Sequence, residues 1–152
     1  MSQKLTPCLW FKDQAEDAAN YYSKLFGGPA PNINRMPDGS VLTAHVSILG
    51  TTYMLLNGNR DQAFNDSASF LIDCKDQAEV DHYWDAFIGD GGKESMCGWC
   101  KDKFGVSWQV IPEALGRTMG GSDRAGAQRA VQAMFKMKKI IVADLEAAYA
   151  GK

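Results

Sequence analysis

The sequence has no excess of charge of either sign. Sixteen lysines and arginines stand against eighteen aspartates and glutamates, which leaves a formal net charge of −2. A dedicated nucleic-acid binder gains most of its affinity by neutralising phosphates and is expected to carry a basic excess. We therefore predict that the chain has no nucleic-acid partner.

A secretion signal and a membrane span are also missing from the pattern. The start, 1–7 (Met-Ser-Gln-Lys-Leu-Thr-Pro), lacks the apolar core and the small-residue cleavage site of a signal peptide. The longest stretch without Asp, Glu, Lys or Arg, Gly39 to Asn59, is interrupted at Gly50 and alternates in polarity, which is typical of paired strands. We expect a cytoplasmic protein with no membrane partner.

Residue types that carry catalysis are few. The chain has two histidines, and no Ser/His/Asp or Cys/His triad can be assigned because nothing places a nucleophile beside either of them. Paired glycines at 27–28, 91–92 and 120–121 form neither G-x-G-x-x-G nor a P-loop. The sequence therefore predicts no cofactor.

The four cysteines are expected to be reduced thiols. Cys97 and Cys100 form a C-x-x-C, but a structural zinc site needs four ligands and a thioredoxin-like site needs the motif to open a helix. The pattern instead predicts a strand over 95–101. Ordinary strand cysteines are the favoured interpretation, with zinc binding and redox chemistry as open alternatives.

What the sequence does contain is the composition of one folded domain, with 45% hydrophobic and 11% aromatic residues. Residues 1–58 read as a β-α-β-β-β module. Alternating polarity predicts a strand over 4–11, followed by a helix that Asp13 caps and Gly27 ends. Three further strands are predicted, over 32–36, 41–49 and 52–57.

The pattern restarts after a polar, turn-rich linker at 59–67. The second module, 68–112, is predicted to contain a strand over 68–74, a helix from Asp76 to Gly89, and strands over 92–95, 95–101 and 106–111. The Ala-rich remainder, 113–152, predicts a helical tail: one helix capped at Ser122-Asp123 that continues through Phe135 and Lys138, and a last helix with Ile141, Leu145 and Tyr149 on one side. The tail packs either on its own domain or on a second subunit.

Four stretches together resemble one known family. They are Pro7-Cys8-Leu9-Trp10-Phe11 with Ala15-Glu16 and Tyr21-Tyr22, then 80–86 (Val-Asp-His-Tyr-Trp-Asp-Ala), 97–112 (Cys-Gly-Trp-Cys-Lys-Asp-Lys-Phe-Gly-Val-Ser-Trp-Gln-Val-Ile-Pro), and Met137-Lys138-Lys139 with 145–149 (Leu-Glu-Ala-Ala-Tyr). They resemble the PhnB-like branch of the vicinal oxygen chelate superfamily, whose members are often labelled 3-demethylubiquinone-9 3-methyltransferase-like. The superfamily also contains glyoxalase I, bleomycin-resistance proteins and extradiol dioxygenases.

The resemblance implies an α+β fold in which two tandem β-α-β-β-β modules form a cupped sheet around a cavity, usually in a homodimer. Metal-dependent relatives place His, Glu or Gln ligands on the cavity face of the first, fourth, fifth and eighth strands. The nearest positions here are Thr6 or Cys8, Leu55 or Asn57, Ser69, and Gln109. Only Gln109 resembles a ligand, because hard divalent ions prefer carboxylate or imidazole groups. We therefore expect no metal.

Strand parity adds candidate ligand contacts. On the strand over 41–49 the apolar side chains should face the helices and leave His45 on the other face, while Gln109 has the opposite parity to Trp108. The expected ligand-binding residues are Cys8, Trp10, His45, Tyr53, Asn57, Ser69, Trp99 and Gln109.

Two functions follow from this set. The first is a protein that binds a small organic molecule without a metal, since the predicted lining is apolar with a few directional polar groups. The alternative is an enzyme of the same superfamily, a lyase, transferase or dioxygenase-like protein, that acts on such a molecule in the same cavity.

Overall fold

The computed structural model describes residues 3–152, and the chain divides after Ala63 into two compact units. Each unit contains a four-stranded mixed sheet. In the part of the chain that the structure describes, no helix has both the length and the apolar character needed to cross a bilayer.

Unit 1 has the order β-α-β-β-β that the sequence predicts. Its elements are β1 (Cys8–Phe11), α1 (Ala15–Phe26), β2 (Asn32–Arg35), β3 (Val41–Ile48) and β4 (Thr51–Asn57). The strand order in the sheet is β1-β4-β3-β2, with β1 parallel to β4 and the other pairs antiparallel. β1 is shorter than the strand predicted over 4–11, although Pro7 still accepts a hydrogen bond from Met54 N–H at 2.9 Å.

Helix α1 covers one face of this sheet. Ala18, Ala19 and Tyr22 are fully buried on its apolar side, and Gly27 ends the helix at a left-handed φ of 65°, as the glycine pattern predicts. The predicted cap at Asp13 is wrong, because the N-cap position is Gln14. The acceptor at the start of the helix comes from a distant strand: Asn57 Oδ1 accepts from Ala15 N–H at 2.9 Å.

Unit 2 repeats the same order of elements. They are β5 (Phe70–Cys74), α2 (Gln77–Gly89), β6 (Lys93–Glu94), β7 (Trp99–Lys101) and β8 (Ser107–Pro112). The strand order is β5-β8-β7-β6, with β5 parallel to β8. The chain therefore has the α+β fold of two tandem β-α-β-β-β modules followed by helices.

The core of unit 2 forms where α2 packs on β8. Asp76 caps α2 by accepting from Glu79 N–H at 3.0 Å, and Phe87 stacks on Trp108 with ring centroids 5.1 Å apart. The indole N–H of Trp108 donates to the buried carboxylate of Asp102 at 2.9 Å. This pairing satisfies both polar groups inside the core.

The tail contains three helices, α3 (Glu113–Met119), α4 (Arg124–Met134) and α5 (Val142–Ala150). Asp123 caps α4, but the prediction that this helix continues through Phe135 and Lys138 is wrong. Segment 135–139 leaves the helix because its backbone carbonyls bond to the turn before β7. Met137 O accepts from Cys97 N–H at 2.7 Å, and Lys138 O accepts from Gly98 N–H at 2.8 Å.

The tail packs on its own unit. Leu115, Ile140 and Leu145 form a buried cluster with Ile111 of β8. The side-chain amide of Gln77 in α2 makes two hydrogen bonds to the segment before α5. Its Nε2 donates to Ile140 O at 3.1 Å, and its Oε1 accepts from Val142 N–H at 2.7 Å. This packing is the one expected for a tail that covers its own domain.

Candidate ligand-binding surfaces

Each sheet has one face packed on a helix, and we call the opposite face the distal face. In unit 1, β1 and β4 are in register so that Cys8 lies beside Met54 and Trp10 beside Leu56. The next strand adds His45 beside Met54 and Thr43 beside Leu56. Because alternate residues of a strand share a face, these side chains form two rows across the distal face.

The distal face of unit 1 is apolar on one side and polar on the other. Trp10, Met54 and Leu56 supply the apolar side, on β1 and β4. The polar side is on β2 and β3, where Asn34 Nδ2 donates to Thr43 Oγ1 at 3.0 Å and Asn32 pairs with His45. The predictions that Trp10 and His45 lie on the face opposite the helix are confirmed.

Tyr53 and Asn57 do not lie on that face, so the expectation that they share it with His45 is wrong. Tyr53 pairs with Val46, and both are buried under α1. Asn57 accepts from Ala15 N–H and donates to Val41 O at 3.1 Å. Apolar residues occur on both faces of β4, so the sequence could not decide which face lies against α1. The pairing of β4 with β3 decided it.

His45 carries an unusual polar group. Its Nδ1 atom is buried and has no hydrogen-bond partner among residues 3–152. A buried ring nitrogen without a partner has lost its solvation without compensation, which costs free energy. His45 therefore holds a desolvated, unpartnered ring nitrogen beneath the surface of the face that carries Trp10.

Cys8 carries a thiol on this face. Its side chain is exposed at the start of β1, and partial burial raises the pKa of its thiol. A thiol with a raised pKa is a poor nucleophile at neutral pH. Cys8 is therefore a surface contact of the distal face and supplies no activated sulfur.

The distal face of unit 2 brings together the other three predicted residues. Gln109 pairs with Leu71 on one side and with Trp99 on the other. Gln109 Nε2 donates to Ser69 Oγ at 2.9 Å. The predicted parity of β8 is confirmed, because Trp108 and Val110 are buried on the helix side.

Three further residues on this side of unit 2 were missed. Ser107 donates to Asp66 Oδ1 at 2.6 Å, and Lys101 Nζ lies 3.5 Å from the same oxygen. The hydrogen bond from Ser107 is the main cause of the lowered pKa of Asp66. Ser107 has the same strand parity as Gln109, but no signal in the polar linker marked Asp66 as its partner.

The C-x-x-C spans a turn and a strand, so the prediction that both cysteines lie in a strand is wrong. Cys97 lies in the turn between β6 and β7 with φ 59°, and Cys100 is buried in β7. Burial, with Asp102 nearby, raises the pKa of the Cys100 thiol to about 12. A thiol that stays protonated does not attack a disulfide, which leaves Cys100 as a core residue.

At three of the four expected ligand positions, the side chains do not fit the superfamily's divalent metal. Leu55 and Asn57 face α1, and the distal face of β4 presents the thioether of Met54 and the alkyl group of Leu56 instead. Ser69 and Gln109 are hydrogen-bonded to each other. Hard divalent cations prefer carboxylate and imidazole donors, which these positions lack.

Among solved structures, the Bacillus cereus PhnB protein is similar with a TM-score of 0.65 at 27% identity, covering 72% of this chain and 99% of that one. A Pseudomonas aeruginosa protein gives 0.60 at 20% identity over 74% of this chain and 98% of that one. The Listeria monocytogenes fosfomycin resistance protein FosX gives 0.50 at 13% identity over 71% and 88%, a likeness of fold alone. No curated protein sequence matches the chain.

Two β-α-β-β-β modules with this strand order define the fold class of the vicinal oxygen chelate superfamily, which includes glyoxalases and bleomycin-resistance proteins. Residues 3–111 match the family model described as 3-demethylubiquinone-9 3-methyltransferase. The chain belongs to this PhnB-like family.

Proposed function

We propose that the chain binds a small organic molecule on the distal face of a sheet and holds it without a tightly bound divalent metal. The observation that carries this proposal is the Gln109–Ser69 pair, with its 2.9 Å hydrogen bond, on a face that also exposes Leu71. Sites for small molecules combine apolar surface with a few fixed polar groups.

The chemistry of Gln109 supports an organic ligand over a metal. Since its Nε2 donates to Ser69, the carbonyl Oε1 supplies an acceptor for a hydroxyl or N–H group of the ligand. A neutral amide has only weak affinity for a divalent cation. Leu71, with 51% of its surface exposed, and the half-buried Trp99 flank Gln109 and supply apolar contact area.

Native mass spectrometry of protein purified without chelator tests the proposal. We expect an adduct with the mass of an organic molecule, together with a metal content well below one equivalent per subunit. Gln109→Ala should reduce adduct occupancy. One equivalent of nickel, zinc or manganese held at submicromolar affinity through Gln109 would overturn it.

His45 favours the second candidate, an enzyme acting on the same kind of molecule. Its half-buried imidazole lies on the distal face of unit 1 beside Met54, where the ring could take a proton from a bound ligand. The discriminating test is to incubate the protein with its co-purified molecule and follow a chemical change by mass spectrometry. Turnover that His45→Gln abolishes while binding persists would favour the enzyme.

We also propose that the protein is a homodimer. Each sheet ends in two edge strands, β1 and β2 in unit 1 and β5 and β6 in unit 2. Edge strands carry backbone N–H and C=O groups that a second chain can cover. The cytoplasmic location stays a prediction.

A further inference from the structure

Gly58 occupies a special place on the distal face of unit 1. It follows β4 directly, and its N–H donates to Phe11 O at 2.9 Å, which extends the parallel pairing of β1 and β4 by one residue. By strand parity Gly58 shares the distal face with Leu56, so a side chain there would project beside Trp10.

The Trp10 indole fills the space that a side chain at Gly58 would take. A Cβ at this position would overlap the Nε1, Cε2 and Cζ2 atoms of the Trp10 ring. No left-handed φ accompanies this glycine, so space rather than backbone conformation explains the residue type. A glycine in or beside a strand often marks such a close approach.

This contact holds a ring that remains open to solvent. Trp10 keeps 38% of its surface exposed, whereas Trp84 and Trp108 are at 2% and 1% in the core of unit 2. Leu56 beside it and Gly58 beneath it restrict the rotamers that the indole can adopt. A ligand that stacks on it then loses less side-chain freedom than it would on a mobile surface tryptophan.

Polar groups lie one strand away from this ring. Thr43 pairs with Leu56, the neighbour of Trp10, and the half-buried imidazole of His45 occupies the next row on β3. A planar molecule over the indole would therefore have hydrogen-bonding groups on one side only. This division suits a ring that carries a single hydroxyl or N–H group.

We propose that Gly58 is a specificity-determining residue that positions Trp10 as a stacking surface for an aromatic ring of the ligand, a planar phenol or N–H heterocycle. The inference rests on the proposed function, applies it to the distal face of unit 1 by itself, and names the class of ligand that this face takes. It assigns Gly58 a positioning role, exerted through the ring of Trp10.

Paired probes separate stacking from simple apolar contact. 2-Naphthol and decahydro-2-naphthol share a skeleton and a hydroxyl group, but only the first is planar and aromatic. Titration calorimetry gives the ratio of their dissociation constants. For the native protein we expect about a tenfold preference for 2-naphthol, the size of a favourable aromatic contact.

Substitutions then show which residue causes the preference for 2-naphthol. Trp10→Leu should bring the ratio close to one, while Trp10→Phe should keep most of it. Gly58→Ala should lower the ratio by displacing the ring. Gly116→Ala is the matched control, because a Cβ there meets no atom within 4 Å.

The outcomes are distinguishable. A ratio near one in the native protein, or a preference that survives Trp10→Leu, overturns the inference. If neither probe binds but an organic molecule co-purifies, the inference fails and the proposed function stands. If neither probe binds and nothing co-purifies, both fail. Should Gly58→Ala not fold, the Trp10→Leu and Trp10→Phe pair decides alone, because Trp10 lies outside the core.

Discussion

Asn57 Oδ1 accepts a hydrogen bond of 2.9 Å from the backbone N–H of Ala15, 42 positions earlier in the chain. The first N–H groups of a helix have no partner within the helix, and a side chain just before it usually supplies one. Here the end of β4 does so. The Asn57 amide also donates to Val41 O, so one side chain ties α1 to β4 and β3.

Replacing Asn57 by alanine should therefore destabilise unit 1. Two partly buried hydrogen bonds are lost, and we expect the free energy of unfolding to fall by about 2 kcal/mol. Asn57→Asp keeps the acceptor for Ala15 and loses the donor, so its effect should be smaller. Urea denaturation measures both. Asn20→Ala, on the exposed side of α1, is the control and should cause no loss; equal stability of Asn57→Ala and the native protein would contradict the assignment.

Gln109→Ala should weaken binding of the co-purified organic molecule. One hydrogen bond to the ligand is lost, which corresponds to about 1 kcal/mol or a fivefold to tenfold higher dissociation constant. Calorimetry with the isolated molecule provides the value. Gln132→Ala, exposed on α4, is the matched control. An unchanged dissociation constant for Gln109→Ala would show that this amide does not contact the ligand.

Gln109→Glu should introduce affinity for divalent metal. The substitution places a carboxylate, the donor that hard cations prefer, on the distal face of β8. Equilibrium dialysis against manganese or nickel should show measurable binding in the variant and little in the native protein. Tighter metal binding by the native protein than by Gln109→Glu would show that the amide is already part of a metal site.

Alkaline pH should weaken the fold through two buried thiols. Burial raises the pKa of Cys74 and of Cys100 to about 12, above the ordinary value of 9.0. The unfolded chain therefore releases these protons first as pH rises. The stabilisation is fully present below about pH 9 and is lost progressively toward pH 12.

Urea unfolding at pH 7.5 and 10.5 checks this sign. The free energy of unfolding should be lower at pH 10.5, and a Cys74→Ala, Cys100→Ala double variant should lose less of it than the native protein does on the same change of pH. If both proteins lose equal amounts, other groups account for the alkaline sensitivity.

A homodimer is expected in solution at micromolar concentration. Sedimentation equilibrium should give twice the 16.7 kDa mass of the chain. A monomer across the micromolar range would count against the dimer. The edge strands of both sheets would then be protected from pairing with other chains by features of the single chain.

The sequence by itself determined the modules and the local signals within them. Alternating polarity identified the strands, helical spacing identified α1 and α2, and Asp76 and Gly27 marked a start and an end. Parity placed Trp10, His45 and Gln109 on the distal faces. These features depend on residues close together in the chain, where side-chain periodicity and capping act.

Only the tertiary structure decided what depends on pairing between distant segments. The register of β4 against β3 moved Tyr53 and Asn57 to the helix side, and the contact of Met137 with Cys97 ended α4 before Phe135. The approach of Trp10 to Gly58 likewise arises from the parallel pairing of β1 with β4. A shift of one residue in such a pairing reverses every side chain, and its free energy comes from packing that no local pattern encodes.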